Sequence, residues 1–481
     1  MPIQQMLLGS GAGGGIAKDY WFAILGGNTA GGGQTTHTQG NDIAVDSEGN
    51  VYVTGYTRCT PSGNMAVVTA KYSESGSLEW QRLWGSVPPS GFSSTSDEGF
   101  GITVDGSDNI YVVGHADSHI GGYSGKGALI LKYNTSGTLQ WERTIGKYDS
   151  EAYGVDFDSS GNIYVCGRGQ YSNWQFISKL NSSGTLQWYR GFSSPKPPNR
   201  QGDKANDIVV DRNNNVVYIC GHLTTSGYQY DMTLAKYNLS GTIQWQRSLS
   251  GDFTSGQDFA YGVSVDSSGN VYVIGRATQL ASSNPGGQGN NNQDGFIVKW
   301  SSGGYVSSKI TFGGYASEDG TGIVIDSQDN VFAVGMSDSG NTTSGVGSRG
   351  LIMRLTSSLS STWARSLGNI SSAGYNEEGT KKVAVDHQRV AIYTVGTIRG
   401  TGPGYDNIII SKLPPDGTGT GTYNSPHLPY VSDSYGGVTS TFSTSINYSP
   451  GFTDSDRNNG QQTPSGSNPT GNLTSTTYAI P

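Results

Sequence analysis

The stretch Ala260–Gly275, AYGVSVDSSGNVYVIG, constrains this chain more than any other, because relatives of it recur along almost the whole sequence. Each copy ends one apolar run at an aspartate, turns through small polar residues, and resumes as Asn-Val-Tyr-Val-x-Gly or a close variant. The aspartates are Asp46, Asp105, Asp158, Asp211, Asp266, Asp326 and Asp386, spaced 53 to 60 residues apart. Self-similarity at such a period marks an array of like units, in which each unit buries its apolar face against the next.

Each unit divides into four short strands. The first ends at the repeated Asp, as in Gly101–Asp105, and a tight turn leads into the second, Ile110–Gly114. A long variable loop precedes the third, and an Asn/Gly turn leads to the fourth; this chemistry predicts two hairpins joined as an antiparallel meander. Val, Ile, Thr and Tyr gather in the runs, and no stretch shows a sustained helical period, so the prediction is all-β with almost no helix. Glycine supplies 73 of 481 residues and charged residues only 14%, against about 25% in ordinary domains, as short strands with many turns require.

Seven third strands end at Lys71, Lys132, Lys179, Lys236, Lys299, Arg354 and Lys412. Fourth strands carry Trp80, Trp141, Trp188, Trp245 and Trp363, with Tyr305 assigned to the slot once, so one fourth strand is missing at the C-terminal end. The segment Tyr20–Gly26 repeats the Trp-to-Gly spacing of Trp80–Gly85 and stands before the first repeat. A unit split between the two ends is how a ring of sheets closes. The expectation is a seven-bladed β-propeller over residues 19–413, its last blade completed by the N-terminal strand, flanked by an N-terminal arm (1–18) and an extended low-complexity C-terminal arm (414–481).

The pattern D-x-A-x-G-I-x-V-D-x-x-G-N-V-Y-V-x-G, followed by a Lys-Tyr strand and a Trp strand, resembles the SBBP-type bacterial β-propeller repeat. Asp386-His387-Gln388-Arg389-Val390 departs from it by lacking the Gly-Asn turn. The resemblance implies the fold and no specific function.

In a meander the long second-to-third loops and the blade-to-blade loops fall on one side of the disc, where ligand contacts usually lie. Two sets of residues border that face. Seven or eight positions before the repeated Asp stand Asp97, Glu98, Glu151, Asp203, Asp258, Glu318, Asp319 and Glu378, with Thr38-Gln39 in the first blade. The favoured reading is structural, a recurrent side-chain bond to backbone; the alternative is a negative channel mouth. After the Gly ending each second strand come Tyr56, His115, Arg168, His222, Arg276, Met336 and Thr397. With Tyr123, Tyr171, Trp174, Tyr228 and Tyr230 nearby, the His-Arg-His-Arg arc suggests a platform for an anionic or sugar ligand.

The Asp-rich turns lack the D-x-[DN]-x-[DN]-G spacing of calcium loops, and no metal or other cofactor is expected. No catalytic motif stands in a suitable context, so an enzyme is not expected; a propeller hydrolase or lyase using His115, His222 and the acidic residues is the alternative. Cys166 and Cys220 share one slot in successive repeats and read as small buried residues. A net charge of −8 without blocks argues against a nucleic-acid partner, and no apolar run approaches the roughly 18 residues of a membrane span.

The opening MPIQQMLLG and the Thr/Ser-rich close, Leu473–Pro481, resemble the ends of virion structural proteins of marine tailed phages, notably cyanophages. That resemblance implies a virion location, as a tail fibre, appendage or decoration. The terminal arms would bind other virion proteins, possession of a propeller face would allow host-surface glycan or protein contact, and the assembled form would be oligomeric. A bacterial surface or extracellular ligand-binding propeller is the alternative.

Overall fold

A computed structural model describes residues 6–7, 20–26, 37–58, 64–86, 96–118, 125–146, 149–169, 174–193, 202–224, 230–251, 257–278, 293–312, 317–337, 349–367, 379–386, 388, 391–399, 406–418, 421–422, 429–432, 438–439, 444–447 and 453–455. They form seven antiparallel sheets and no helix among the described residues. Six blades are consecutive four-strand meanders. Blade 1 runs from Thr38–Val45 to Leu78–Trp84, blade 2 from Glu98–Val104 to Leu139–Ile145, and blade 3 from Glu151–Phe157 to Leu186–Ser193. Blade 4 runs from Lys204–Asp211 to Ile243–Gly251, blade 5 from Phe259–Val265 to Val306–Phe312, and blade 6 from Glu318–Ile325 to Ser361–Leu367.

Blade 7 has three C-terminal strands, Gly379–Asp386, Ala391–Arg399 and Asp406–Leu413, and takes Trp21–Leu25 as its fourth, with Trp21 opposite Lys412 and Leu25 opposite Ile408. The fully buried Trp21 packs against Tyr72 of blade 1 and Tyr393 of blade 7. The apolar core lies between blades: one cluster joins Tyr218, Leu234 and Leu249 of blade 4 to Val263, Val273 and Trp300 of blade 5.

The repeated aspartate builds the turn between the first two strands. Asp46 accepts the N–H groups of Glu48 and Asn50, the Asn50 amide and the Tyr52 hydroxyl. One residue thus satisfies the turn and anchors the Asn and Tyr of the same copy.

The fourth strands clasp the following blade. Trp80, Trp141, Trp188, Trp245 and Trp363 each donate Nε1–H to a turn carbonyl there, at 3.0–3.3 Å. Two residues on, Arg82, Arg143, Arg190, Arg247 and Arg365 donate Nε–H to the turn's glycine carbonyl. Those glycines have positive φ and lie against the indole: a Cβ on Gly241 would stand 2.9 Å from Trp188. In blade 5 the register corrects the sequence reading. Ser308, not Tyr305, pairs with Lys299 in the tryptophan slot, and its hydroxyl donates to the Ser358 carbonyl of blade 6. Tyr305 lies three residues earlier, at the turn, 64% exposed.

Short terminal segments add strands to outer edges. Met6–Leu7 pairs with Trp21–Leu25. Beyond blade 7, Pro429–Ser432 pairs with the outer strand of blade 6, Val438–Thr439 with blade 5, Thr444–Asn447 with blade 4 and Thr453–Ser455 with blade 3. The chain therefore returns around the rim against the order of the blades.

Candidate functional site

The third strand of one blade and the first strand of the next begin on the same side of the disc, as the bridges Met65 to Ser96, Tyr230 to Gln257 and His37 to Asp406 record. That side is the channel mouth. Much of the long loop sequence there, with Tyr123, Tyr171, Tyr228 and Glu378, lies outside the described residues.

The acidic positions divide into two kinds. Those eight before the repeated Asp are buried beside the backbone: Asp97 accepts the N–H groups of Ser86 and Asp117, Asp203 that of Thr224 and Asp258 that of Thr278. Glu318 at the same position is fully buried, and burial raises the Asp97 carboxyl to about 6. Asp117, Thr224 and Thr278 lie at or near the ends of second strands, so these carboxylates fasten strand ends at the mouth.

Positions seven before the Asp are direct cross-strand partners of the residues after the second-strand Gly. The pairs are Gln39 with Tyr56, Glu98 with His115, Glu151 with Arg168, Lys204 with His222, Phe259 with Arg276, and Asp319 with Met336. What sequence separates into two sets is one ring of pairs, of mixed charge.

Every first strand also carries a bulge between the sixth and fourth positions before the Asp, at Asn41, Phe100, Tyr153, Asn206, Tyr261, Thr321 and Lys381. A bulge re-aims its side chain. Asn41, Asn206 and Thr321 use theirs to cap a first-strand carbonyl of the next blade, at Gly99, Ala260 and Thr380. Phe100 and Tyr153 instead meet each other, ring centroids 4.9 Å apart.

Blades 2 to 4 concentrate the chemistry. Glu151, 3% exposed, takes Arg168 at 2.8 Å and Lys126 at 3.1 Å on one oxygen and the Tyr153 hydroxyl on the other. Burial works to raise this carboxyl, but Arg168, His115, Tyr153 and Lys126 outweigh it and hold the group at about 2. His115 is 1% exposed with neither ring nitrogen hydrogen-bonded; burial, and then Lys126, lower it to about 4, so it is neutral at pH 7. Lys204 of blade 4 sets its ammonium 3.7 Å from the Tyr153 ring centroid, and burial lowers it to about 8. Tyr56, its hydroxyl raised to about 12 by burial and by Glu98, stands in the neighbouring blade.

A second grouping spans blades 4 to 6. Arg276 pairs with Asp319 at 3.2 Å and lies over the Phe259 and Tyr261 rings. His222 is buried edge-on to Tyr230 and Phe259, and burial, then Lys204, lower it to about 3. Trp174 donates to the Tyr189 hydroxyl of its own blade and, through its carbonyl, accepts the N–H of Gly169 beside Arg168.

Deeper in the channel, four blades place glycine four positions before the Asp, and the other three place Asp42, Asp207 and Lys382. Lys382 of blade 7 reaches Asp207 of blade 4 at 2.8 Å, an ion pair across the axis. Asp42 accepts the N–H groups of Ile43 and Ile102, and burial, opposed by Lys382, raises it to about 7. No cluster able to hold a metal occurs among the described residues, and Cys166 and Cys220 are buried thiols.

Sequence reasoning singled out Glu151, His115 and Arg168 and missed Tyr153, Phe100, Lys126 and Lys204. The available signal for Phe100 and Tyr153 was the variable residue between two small ones in four of the first strands, as in Gly-Phe-Gly and Ala-Tyr-Gly, which marks the bulge.

Fold and mouth together define a seven-bladed β-propeller with a polar, aromatic-lined channel entrance. The family described as SBBP, beta-propeller repeat, matches residues 21–58, 90–121 and 244–279. Among curated proteins, none matches the chain in sequence. Solved structures similar to it include a protein of unknown function from Dyadobacter fermentans (11% identity, 79% of this chain and 96% of that one, TM-score 0.45). The β-propeller domain of the Trilobed protease from Pyrococcus furiosus is also similar (9%, 82% and 98%, 0.45), as is a PL25 ulvan lyase (9%, 79% and 95%, 0.49).

Proposed function

We propose that this protein is a structural component of a phage virion, a tail fibre, appendage or decoration, whose propeller mouth contacts host-surface glycan. The supporting observation is the mouth of blades 2 to 4, where Phe100, Tyr153, Arg168 and Lys204 present ring faces and fixed cations on rigid strands. Aromatic faces with a few placed polar groups are the usual make-up of a sugar site. The terminal segments are the proposed assembly contacts. Their resemblance to phage virion ends motivates this, and their edge pairing supplies the means, since the same hydrogen bonds can be made to a neighbouring subunit.

Mass spectrometry of purified particles, with an antibody to residues 414–481 to localise the chain, tests the location. Absence from particles sinks the virion reading and leaves a bacterial surface propeller with the same mouth. A glycan array tests the contact separately.

A second reading, a polysaccharide-cleaving enzyme, is favoured by one observation: Tyr153 is hydrogen-bonded to Glu151 beside Arg168 and His115. In a lyase reaction Arg168 would neutralise a uronate carboxylate, His115 would take the proton alpha to it, and Tyr153 would protonate the leaving oxygen. Incubation with oligogalacturonate and monitoring of ultraviolet absorbance checks for the unsaturated product; a flat trace eliminates this activity on that substrate.

A further inference from the structure

Building on the reading of the mouth as a glycan contact, we infer that the sugar it takes is acidic: Lys204, with Arg168 and Tyr153, forms a receptor for one carboxylate or sulfate group on a sugar ring. The observations that carry this are unmet polar groups gathered in one place. Lys126 has Glu151, Lys382 has Asp207 and Arg276 has Asp319, whereas Lys204 makes no ion pair among the described residues and rests on the face of Tyr153. Arg168 spends one terminal nitrogen on Glu151, while its Nε is buried without a hydrogen-bond partner. His115, almost wholly buried, lies beside them with its Nδ1 3.9 Å from the Glu151 carboxylate.

Withdrawing an ammonium from water opposes folding, and with no direct ion pair the more distant Glu151 and Glu98 offset that cost only in part. An oxyanion supplies the missing partner, and the planar Arg168 and compact Lys204 differ in the geometry they offer it. The Phe100 and Tyr153 rings next to them supply an apolar surface for the sugar ring that bears the anion.

Titrating the full chain with oligogalacturonate, with the same oligomer after carboxyl reduction, and with a sulfated neutral oligomer tests the inference. Wild-type protein is expected to prefer the acidic oligomers, and Lys204→Met to lose about tenfold to a hundredfold of that affinity, the worth of one charged hydrogen bond. Lys204→Arg is expected to retain the preference. The carboxylate and sulfate arms separate the two sources of the anion.

The pH profile gives a readout in unmodified protein. The groups facing Lys204 are Tyr153, Glu151 and Arg168 of blade 3, Glu98 of blade 2 and His222 of its own blade. Glu151 is already ionised well below neutrality and His222 already neutral, so the titration of Lys204 near 8 governs the alkaline limb. Affinity for the acidic oligomer falls above that pH in wild type and stays level in Lys204→Arg. Equal binding of acidic and reduced oligomers, or an affinity level across that range in wild type, overturns the acidic-sugar assignment and leaves the glycan contact standing. Binding to no glycan overturns both.

Discussion

The turn face of the disc and its mouth are built from the same seven repeats, yet they differ in how alike those repeats are. On the turn face five blades make one clasp, Trp and Arg onto the next blade's glycine turn, and blade 5 keeps part of it through Ser308. At the mouth the corresponding pairs run Gln–Tyr, Glu–His, Glu–Arg, Lys–His, Phe–Arg and Asp–Met. A bond made identically around a ring belongs to the ring; a position filled differently in each blade is free to serve something outside it. The turn face should therefore carry stability, and the mouth recognition.

The largest effect is expected at the ring closure. Trp21→Ala removes a fully buried indole packed on Tyr72 and Tyr393 and its bond to the Glu74 carbonyl. A loss of about 3–5 kcal/mol is expected from denaturant unfolding. A loss below 1 kcal/mol would mean that the N-terminal strand does not hold blade 7, and the comparison would fail at its base.

Glu151 sharpens the contrast because it is the mouth's anchor. Its folded value near 2 lies below the ordinary 4.5, so ionisation favours the folded state and its contribution is present above 4.5. Glu151→Gln should cost about 3 kcal/mol at pH 7, with the penalty shrinking as pH falls from 4.5 towards 2. Parallel stability curves for the two proteins across that range would show that the cluster does not depend on the charge.

Gly241→Ala probes the clasp itself. The residue has φ +83°, and its new Cβ would meet Trp188 at 2.9 Å. The backbone term alone is about 1–2 kcal/mol, and displacement of the indole adds to it. Thermal unfolding of this variant alongside Gly161→Ala, where φ is also positive but a Cβ meets nothing, separates the two terms.

The blades were legible because their determinants are local. Asp46 and its counterparts bond residues two, four and six positions on, so the turn is written contiguously in each copy. Closure was legible because Trp21–Leu25 repeats the outer-strand spacing. Tyr305 was misplaced because aromatic character was weighed above distance from the turn, and the register puts Ser308 there. The mouth was half legible: neighbouring acids such as Asp97 and Glu98 looked equivalent, but one accepts backbone N–H groups while the other pairs across the strand with His115. Lys204 and Tyr153 escaped because the ammonium and the ring meet across two blades, which no local pattern records. The rim strands, two to four residues each in Ser/Thr-rich sequence, carry no period by which to recognise them.

The smallest effect decides most sharply between the two faces. Lys204 sits at the mouth with a ring under its ammonium and no counter-ion among the described residues, and burial has already lowered its affinity for the proton. Replacing it with methionine keeps the length of the side chain and removes a charge that makes no direct ion pair among the described residues. Lys204→Met is therefore expected to change unfolding free energy by less than about 1 kcal/mol, or to raise it, the behaviour of a residue kept at some cost to stability. A loss above about 2 kcal/mol would make Lys204 a structural member like the tryptophans, and the mouth would then differ from the turn face in composition but not in purpose. Measured at pH 6 and again at pH 9, the effect should diminish at the higher pH, because the wild-type lysine is by then largely neutral.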